Sequence, residues 1–161
     1  MRTVIIGVGN PVLTDDGVGL KIADCLEEKY RGCADVTVRQ LHCGGIRLME
    51  AMAGHELAVV IDAMTGGSGR AGSVYTLGLA ELGQTRNTWS AHDASLAMAL
   101  ELGAMGGLKL PGAVRIWAVE AKDVSTFSES LTPEVARAVP RVVKEVVREL
   151  EPGRRARRTK R

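Results

Sequence analysis

Residues 7–19 read Gly7-Val8-Gly9-Asn10-Pro11-Val12-Leu13-Thr14-Asp15-Asp16-Gly17-Val18-Gly19. This stretch is rich in glycine and carries two adjacent carboxylates. A short apolar run precedes it at residues 3–8, and an amphipathic run follows it at residues 18–30. The pattern predicts a loop between a buried strand and a helix. Because ligands of open α/β sheets bind beyond the carboxyl ends of the strands, this loop is a candidate functional site.

The rest of the chain alternates between apolar runs typical of strands and amphipathic runs typical of helices. We predict strands at residues 3–8, 36–41, 57–63, 73–77 and 114–119, and helices at residues 18–30, 46–53, 92–102 and 132–150. This alternation predicts a three-layer α/β/α sandwich around a mostly parallel sheet. The strand at residues 73–77 follows its predecessor too closely for a helical crossover, so it can run antiparallel. Pro140 should kink the last helix.

Composition restricts the class of protein. A length of 161 residues fits one domain, and 45% hydrophobic with 25% charged residues is an ordinary globular balance. Aromatic residues make up only 3%, which leaves little material for stacking nucleic-acid bases. The apolar runs are too short to span a membrane, and the first residues do not resemble a signal peptide. Three cysteines without a CxxC pair suit the reducing cytoplasm, where we place the protein. We expect a monomer, because no predicted element is strongly apolar on all sides and left uncovered.

Basic charge is concentrated at the end of the chain. Residues 154–161 hold six basic residues and no acid, which leaves 15 basic against 19 acidic residues elsewhere. An acidic body argues against a nucleic-acid-binding domain. We therefore predict one domain at residues 1–150 and a disordered, solvated basic tail at residues 151–161, with attraction of the tail to an acidic partner such as RNA as the alternative.

Three side chains should reach the carboxyl edge of the predicted sheet. Asp16 lies in the loop after the first strand, Asp62 ends the third strand, and His92 begins the helix after a long irregular segment. Two carboxylates and an imidazole, with positions left open, suit zinc, nickel, manganese or iron. Each residue also has a structural interpretation. Asp62 can form a turn, His92 can be a structural side chain, and Asp15 can cap the first helix and leave Asp16 to face the edge.

Other motifs fail. Gly7-Val8-Gly9 lacks the third glycine of a dinucleotide-binding fingerprint, because residue 12 is valine. The chain has no Walker lysine and no GxSxG elbow. His42 and Cys43 are adjacent near a strand end, where neighbouring side chains point apart, so they are not a thiol-protease pair.

Residues 7–19 resemble the opening motif of the [NiFe]-hydrogenase maturation endopeptidases. The resemblance extends over nearly the whole chain. It includes Asp62-Ala63 after an apolar strand, Ser90-Ala91-His92, and Leu131-Thr132-Pro133-Glu134-Val135 before the last helix. Only the tail after about Leu150 falls outside it.

The resemblance implies a mixed five-stranded sheet in an α/β/α sandwich and an aspartic-type, cytoplasmic endopeptidase. Such an enzyme removes a C-terminal extension from the hydrogenase large-subunit precursor after nickel insertion. The family residues that match Asp16, Asp62 and His92 bind a metal, which is taken to mimic the nickel in the substrate. Zinc, cadmium or another divalent ion is expected to substitute in vitro. We assign contact with the substrate to Gly9, Asn10, His42 and Gly44.

The chain departs from the family pattern at three places. His42-Cys43-Gly44-Gly45 stands where the family commonly has Asp-Gly-Gly-Thr. Asp93 replaces a common amide after His92, and Ala121 replaces the proline that often follows the glutamate matching Glu120. These changes suggest a divergent branch of the family and leave the water-activating group open.

Two mechanisms and two other functions stay open from the sequence. A metal at Asp16, Asp62 and His92 can polarise the carbonyl and activate water, or nickel can serve only for recognition while Asp16 or Asp62 acts as general base. Alternatively, the protein is a metal-binding chaperone that holds the precursor uncleaved, or a small-molecule hydrolase. Glycines 7, 9, 17 and 19 are interpreted as positions where a peptide can approach the backbone closely.

Overall fold

The computed structural model describes residues 1–79 and 96–158, with the backbone alone for residues 152–158. The strands are β1 (Thr3–Val8), β2 (Val36–Leu41), β3 (Leu57–Met64), β4 (Val74–Gly78) and β5 (Ala113–Glu120). The helices are α1 (Val18–Tyr30), α2 (Ile46–Met52), α3 (Leu96–Met105) and α4 (Pro133–Arg158), and a short 3-10 helix, Thr14–Gly17, precedes α1.

The five strands form one mixed sheet in the order β2-β1-β3-β5-β4. Strands β1, β2, β3 and β5 are parallel, and β4 pairs antiparallel with β5 at one edge. The predicted mostly parallel sheet and the antiparallel edge strand are confirmed. Because the parallel strands share one direction, the loops that follow β1, β2, β3 and β5 all leave from the same edge of the sheet.

Two apolar layers cover the sheet. All eight residues of β3 are buried, which is typical of a strand covered on both faces. Its alternate side chains point to opposite faces: Val59 and Ile61 pack in the layer that includes α1 and α4, whereas Ala58 and Val60 pack in the layer that includes α2 and α3. The predicted three-layer sandwich is confirmed.

Two helices continue beyond their predicted ends, and α2 ends one residue before its predicted end, at Met52. Helix α3 continues to Met105, three residues beyond the predicted end, and its predicted start at His92 lies outside the described residues. Helix α4 continues through Pro140 and past Leu150 to Arg158, so no break in the helix marks the predicted domain boundary. The division at residue 150, the solvated tail and the kink at Pro140 stay predictions. Among the described residues, no helix has the length and apolar character needed to span a membrane.

Candidate functional site

The loop after β1 folds back on its own second aspartate. The backbone N–H of Asn10 donates to Oδ2 of Asp16 at 2.8 Å, and the side chain of Asn10 accepts from the N–H of Val12 at 3.1 Å. Asp16 is partly exposed, and its Oδ1 accepts no hydrogen bond from a described residue. The loop therefore orients the Asp16 carboxylate through one oxygen and leaves the other for a ligand.

The prediction that Asp62 ends the third strand is wrong. Asp62 lies inside β3, which continues to Met64. The strand continues to Met64 because Ala63 and Met64 pair in register with Val119 and Glu120 of β5. Asp62 is only 2% exposed, and its Oδ1 accepts the N–H of Ala63 at 2.8 Å. Asp62 lies two residues after Val60 in the strand, so its side chain lies on the same face, the one covered by α2 and α3.

The 3-10 helix that contains Asp16 contacts β3, the strand that contains Asp62. The structure thus places two of the three predicted metal ligands at one edge of the sheet. The third, His92, lies outside the described residues, as do Ser90 and Asp93. Within residues 1–79 and 96–158, no three His, Cys, Asp or Glu side chains form a group that could hold a metal ion. The triad stays a prediction.

His42 lies beside the opening loop. Its Nδ1 is 3.1 Å from the carbonyl oxygen of Gly9, and the Gly9 N–H donates to the carbonyl of Leu41 at 3.1 Å. Because a carbonyl can only accept, Nδ1 is the donor in this contact, and in a neutral imidazole with that tautomer Nε2 is an acceptor. Of the four predicted substrate contacts, Gly9, Asn10 and His42 are thus neighbours at this edge. Gly44 follows in the partly buried turn before α2. Their contact with a substrate stays a prediction.

The sequence allowed Asp15 to cap α1, but in the structure it does not. Gly17 occupies the cap position and makes no side-chain cap bond. Asp15 is fully buried, and its carboxylate accepts the N–H groups of Lys122 (2.9 Å), Asp123 (3.0 Å) and Thr132 (2.7 Å). The Thr132 hydroxyl lies 2.9 Å from Oδ2 and donates to the same carboxylate. Asp15 therefore joins the opening loop to the segment between β5 and α4.

We call this segment, residues 121–132, the strap, and Thr14 of the opening loop also bonds to it. Thr14 adopts a positive φ of 49°, uncommon for a β-branched residue. In that conformation its N–H donates to the carbonyl of Ser128 at 2.8 Å, and its hydroxyl donates to the carbonyl of Thr126 at 2.6 Å. The Ser128 N–H donates in turn to the carbonyl of Val12 at 3.0 Å. The sequence analysis did not predict the strap, although the adjacent aspartates Asp15 and Asp16 and the hydroxyl residue Thr132 were visible signals of a polar contact.

Three glycines of the opening loop are required by the protein's own packing. A Cβ on Gly7 would lie 2.2 Å from the carbonyl oxygen of Gly19, and a Cβ on Gly19 would lie 2.4 Å from those of both Val8 and Ile61. A Cβ on Gly9 would lie 1.9 Å from the carbonyl oxygen of Asp16. At these three positions the protein's own backbone fills the space of a side chain: α1 and its preceding turn do so at Gly7 and Gly9, and β1 and β3 do so at Gly19. The close approach of a peptide to glycines 7, 9, 17 and 19 stays a prediction.

Glu120 adds a third carboxylate to this edge of the sheet. It ends β5 opposite Met64 and is buried, and its Oε1 accepts the N–H of Gly67 at 3.2 Å. Its Oε2 has no hydrogen-bond partner among the residues that the structure describes. A Cβ on Gly67 would lie 2.2 Å from Oε2, so the glycine provides the space for this carboxylate.

The strap and the first turn of α4 carry charge that persists at low pH. Hydrogen bonds from the Thr126 side chain and from the backbone of Ser125 and Thr126 hold the pKa of Asp123 well below its usual range. A hydrogen bond from the Lys122 side chain, 2.7 Å from Oε1 of Glu134, lowers the pKa of Glu134. Both carboxylates are therefore ionised at neutral pH.

A cleft of about 470 Å³ lies away from this site. It is formed where α1 ends and β2 begins, between Tyr30, Cys33 and Val36 among others. The parallel strands begin at that edge of the sheet, so the described site residues Asp16, His42 and Asp62 lie away from the cleft.

Comparison with known proteins identifies the family. Residues 20–149 match the family model of the hydrogenase maturation proteases. The chain is 30% identical over 77 residues to the hydrogenase 2 maturation protease of Escherichia coli strain K12, and that match spans about half of each protein, 48% of this chain and 47% of the relative.

Solved structures agree with the family match. The hydrogenase maturating endopeptidase HybD from E. coli has a TM-score of 0.82 and 25% identity, with 95% of this chain and 94% of that chain covered. The [NiFe] hydrogenase maturation protease HybD from Thermococcus kodakarensis has a TM-score of 0.73 and 28% identity, with 93% and 99% covered. The chain belongs to the hydrogenase maturation protease family.

Proposed function

We propose that the protein is an endopeptidase that removes the C-terminal extension of a nickel-loaded [NiFe]-hydrogenase large-subunit precursor. The observation that carries this proposal is the pair of carboxylates, Asp16 and Asp62, at the edge of the sheet where the loops after four parallel strands leave. The family assignment supplies the class of substrate. The aspartic-type mechanism, a cytoplasmic location and a monomeric state belong to the same proposal.

Nickel enters this proposal as part of the substrate. Asp16 and Asp62, together with His92, would contact the nickel of the loaded precursor. Carboxylate oxygens combined with an imidazole nitrogen are donors that suit such an ion, as well as zinc or cadmium in its place. Asp16 supports this role because its Oδ1 accepts no bond from a described residue. A precursor without nickel offers one contact fewer. Its weaker binding would ensure that cleavage follows nickel insertion.

Peptide hydrolysis requires an activated water and a stabilised oxyanion. The ion can polarise the scissile carbonyl, or a carboxylate of Asp16 or Asp62 can take the proton from water. Hydrogen bonds from Asn10 to Asp16 and from Ala63 to Asp62 orient both carboxylates for either role. His42 offers a further acceptor at Nε2, in the position where relatives commonly have an acid.

One observation favours a second candidate function, a metal-binding chaperone that holds the precursor without cleaving it. The imidazole of His42 is bonded to the carbonyl of Gly9 where a carboxylate is common in the family. If that carboxylate is the required base, its replacement leaves binding intact and abolishes hydrolysis.

Incubation of the pure protein with nickel-loaded precursor separates the two functions. The endopeptidase yields a shortened precursor by intact-mass analysis and then releases it. A chaperone yields a stable complex on gel filtration with the precursor at its original mass. In that case His42→Asp is the first variant to test for restored cleavage.

A further inference from the structure

Phe127 is the one phenylalanine of the chain, and its side chain is 83% exposed. Single exposed apolar residues are common on protein surfaces and need no explanation by themselves. Phe127 differs because the backbone on both sides of it is fixed. The carbonyl of Thr126 accepts the hydroxyl of Thr14 at 2.6 Å, and Ser128 exchanges backbone hydrogen bonds with Thr14 and Val12 at 2.8 and 3.0 Å.

These three hydrogen bonds join Phe127 to the candidate site. Their partners, Val12 and Thr14, belong to the loop that carries Asp16. Leu13 and Ser128 also form a parallel β-bridge, which brings Val12, itself exposed, beside the backbone of the strap. Val12 and Phe127 therefore form a small apolar surface next to Asp16. A rigid aromatic anchor of this kind loses little conformational freedom on binding.

The rim of this surface is acidic. Asp16 lies on the loop side, and Asp123 and Glu129 lie on the strap, with Glu129 exposed. The Asp123 carboxylate is held by Ser125 and Thr126 and remains ionised. Lys122, the one cation within the strap, bonds to Glu134. The charge that complements this rim is positive.

We propose that Val12 and Phe127 form a docking surface for the precursor protein, which presents to it an apolar side chain flanked by basic residues. The proposal rests on the proposed function, because it names how the substrate of that site is held. Docking at Val12 and Phe127 is independent of nickel and places the precursor within reach of Asp16.

The test is the dissociation constant for purified nickel-loaded precursor, measured by biolayer interferometry. All proteins carry Asp62→Asn, so that bound precursor is not consumed. Phe127→Ala should raise the dissociation constant by about tenfold or more, because truncation of an aromatic anchor that the complex buries is costly. Met105→Ala is the matched control: Met105 is 85% exposed at the end of α3 that leads towards the opposite edge of the sheet. It should change the constant by less than about twofold.

A charge-reversal variant tests the acidic rim in the same experiment. Glu129→Lys should weaken binding further at low ionic strength, and this additional loss should shrink as salt is added. Urea unfolding of Phe127→Ala should match that of the parent, since the side chain is exposed and the strap's hydrogen bonds are made by other residues.

The outcomes separate this proposal from the proposed function. If Phe127→Ala binds the precursor as tightly as Met105→Ala does, or if neither the wild-type protein nor its Asp62→Asn form binds the precursor, the docking surface is wrong. If Phe127→Ala binds more weakly while the wild-type protein leaves the precursor at full mass, the docking surface stands and the endopeptidase proposal fails.

Discussion

The carboxylate of Asp15 lies 2.7 Å from the backbone nitrogen of Thr132 and 2.9 Å from its hydroxyl, across 117 residues of sequence. Asp16, the next residue, directs its carboxylate to the backbone of its own loop. Two adjacent aspartates thus have different tasks. Asp15 holds the strap to the opening loop, and Asp16 keeps one carboxylate oxygen that accepts no hydrogen bond from a described residue.

Asp15→Ala should reduce the free energy of unfolding by about 3 kcal/mol or more. The substitution leaves three backbone N–H groups and the Thr132 hydroxyl without their acceptor in a buried position. Urea unfolding measures the loss. Asp16→Ala is the matched control and should cost about 1 kcal/mol, because a single hydrogen bond at a partly exposed site is lost. Equal losses in the two variants would contradict the division of tasks.

Gly19→Ala should destabilise the protein by about 3 kcal/mol, because the added Cβ would lie 2.4 Å from two backbone carbonyl oxygens that cannot easily move. Gly112→Ala is the control. Its Cβ would meet no atom within 4 Å, so we expect a change within about 0.5 kcal/mol. Thermal or urea unfolding compares them. A Gly19→Ala protein as stable as Gly112→Ala would show that α1 does not pack this closely on the sheet.

Stability should fall at acid pH partly through Asp123. Its pKa is lowered in the folded protein, so its contribution is present above the unfolded value of about 3.9 and is lost as the pH falls below it. Asp123→Asn should therefore give a shallower loss of stability below about pH 4 than the wild type. Urea unfolding at a series of pH values measures the slope. Asp35→Asn, at an exposed turn before β2, is the control and should retain the wild-type slope.

Asp16→Asn and Asp62→Asn should each reduce the rate of precursor cleavage by about a hundredfold or more, as expected for removal of a general base or a metal-contacting group. An asparagine retains the carbonyl oxygen that can accept from Asn10 or Ala63, so both variants should remain folded. Asp35→Asn should cleave at the wild-type rate. Normal cleavage by both site variants would place the chemistry elsewhere.

The sequence was sufficient to predict most of the fold. The uninterrupted apolar run of β3 and the alternation of strands and helices indicated a sheet covered on both faces, and the short connection before Val74 allowed an antiparallel edge. These are local patterns, and local patterns specify element type and layer order.

The sequence was insufficient where partners are distant along the chain. The hydrogen bonds between Asp15 and Thr132 join residues that no periodicity links, so the sequence alone offers for Asp15 only the possibility of a helix cap. The role of Gly19 depends on the carbonyl oxygens of Val8 and Ile61, which belong to different strands. The apolar run before Asp62 predicts that the strand ends near this residue, yet pairing with β5 continues to Met64.

The most direct test of the central claim is the intact mass of the cognate hydrogenase large-subunit precursor after incubation with this protein, with and without nickel in the precursor. We expect the nickel-loaded precursor to lose a C-terminal peptide and the nickel-free precursor to keep its mass. An unchanged mass of the nickel-loaded precursor would contradict the account. Equal cleavage of both forms would contradict the role of nickel as the recognised part of the substrate.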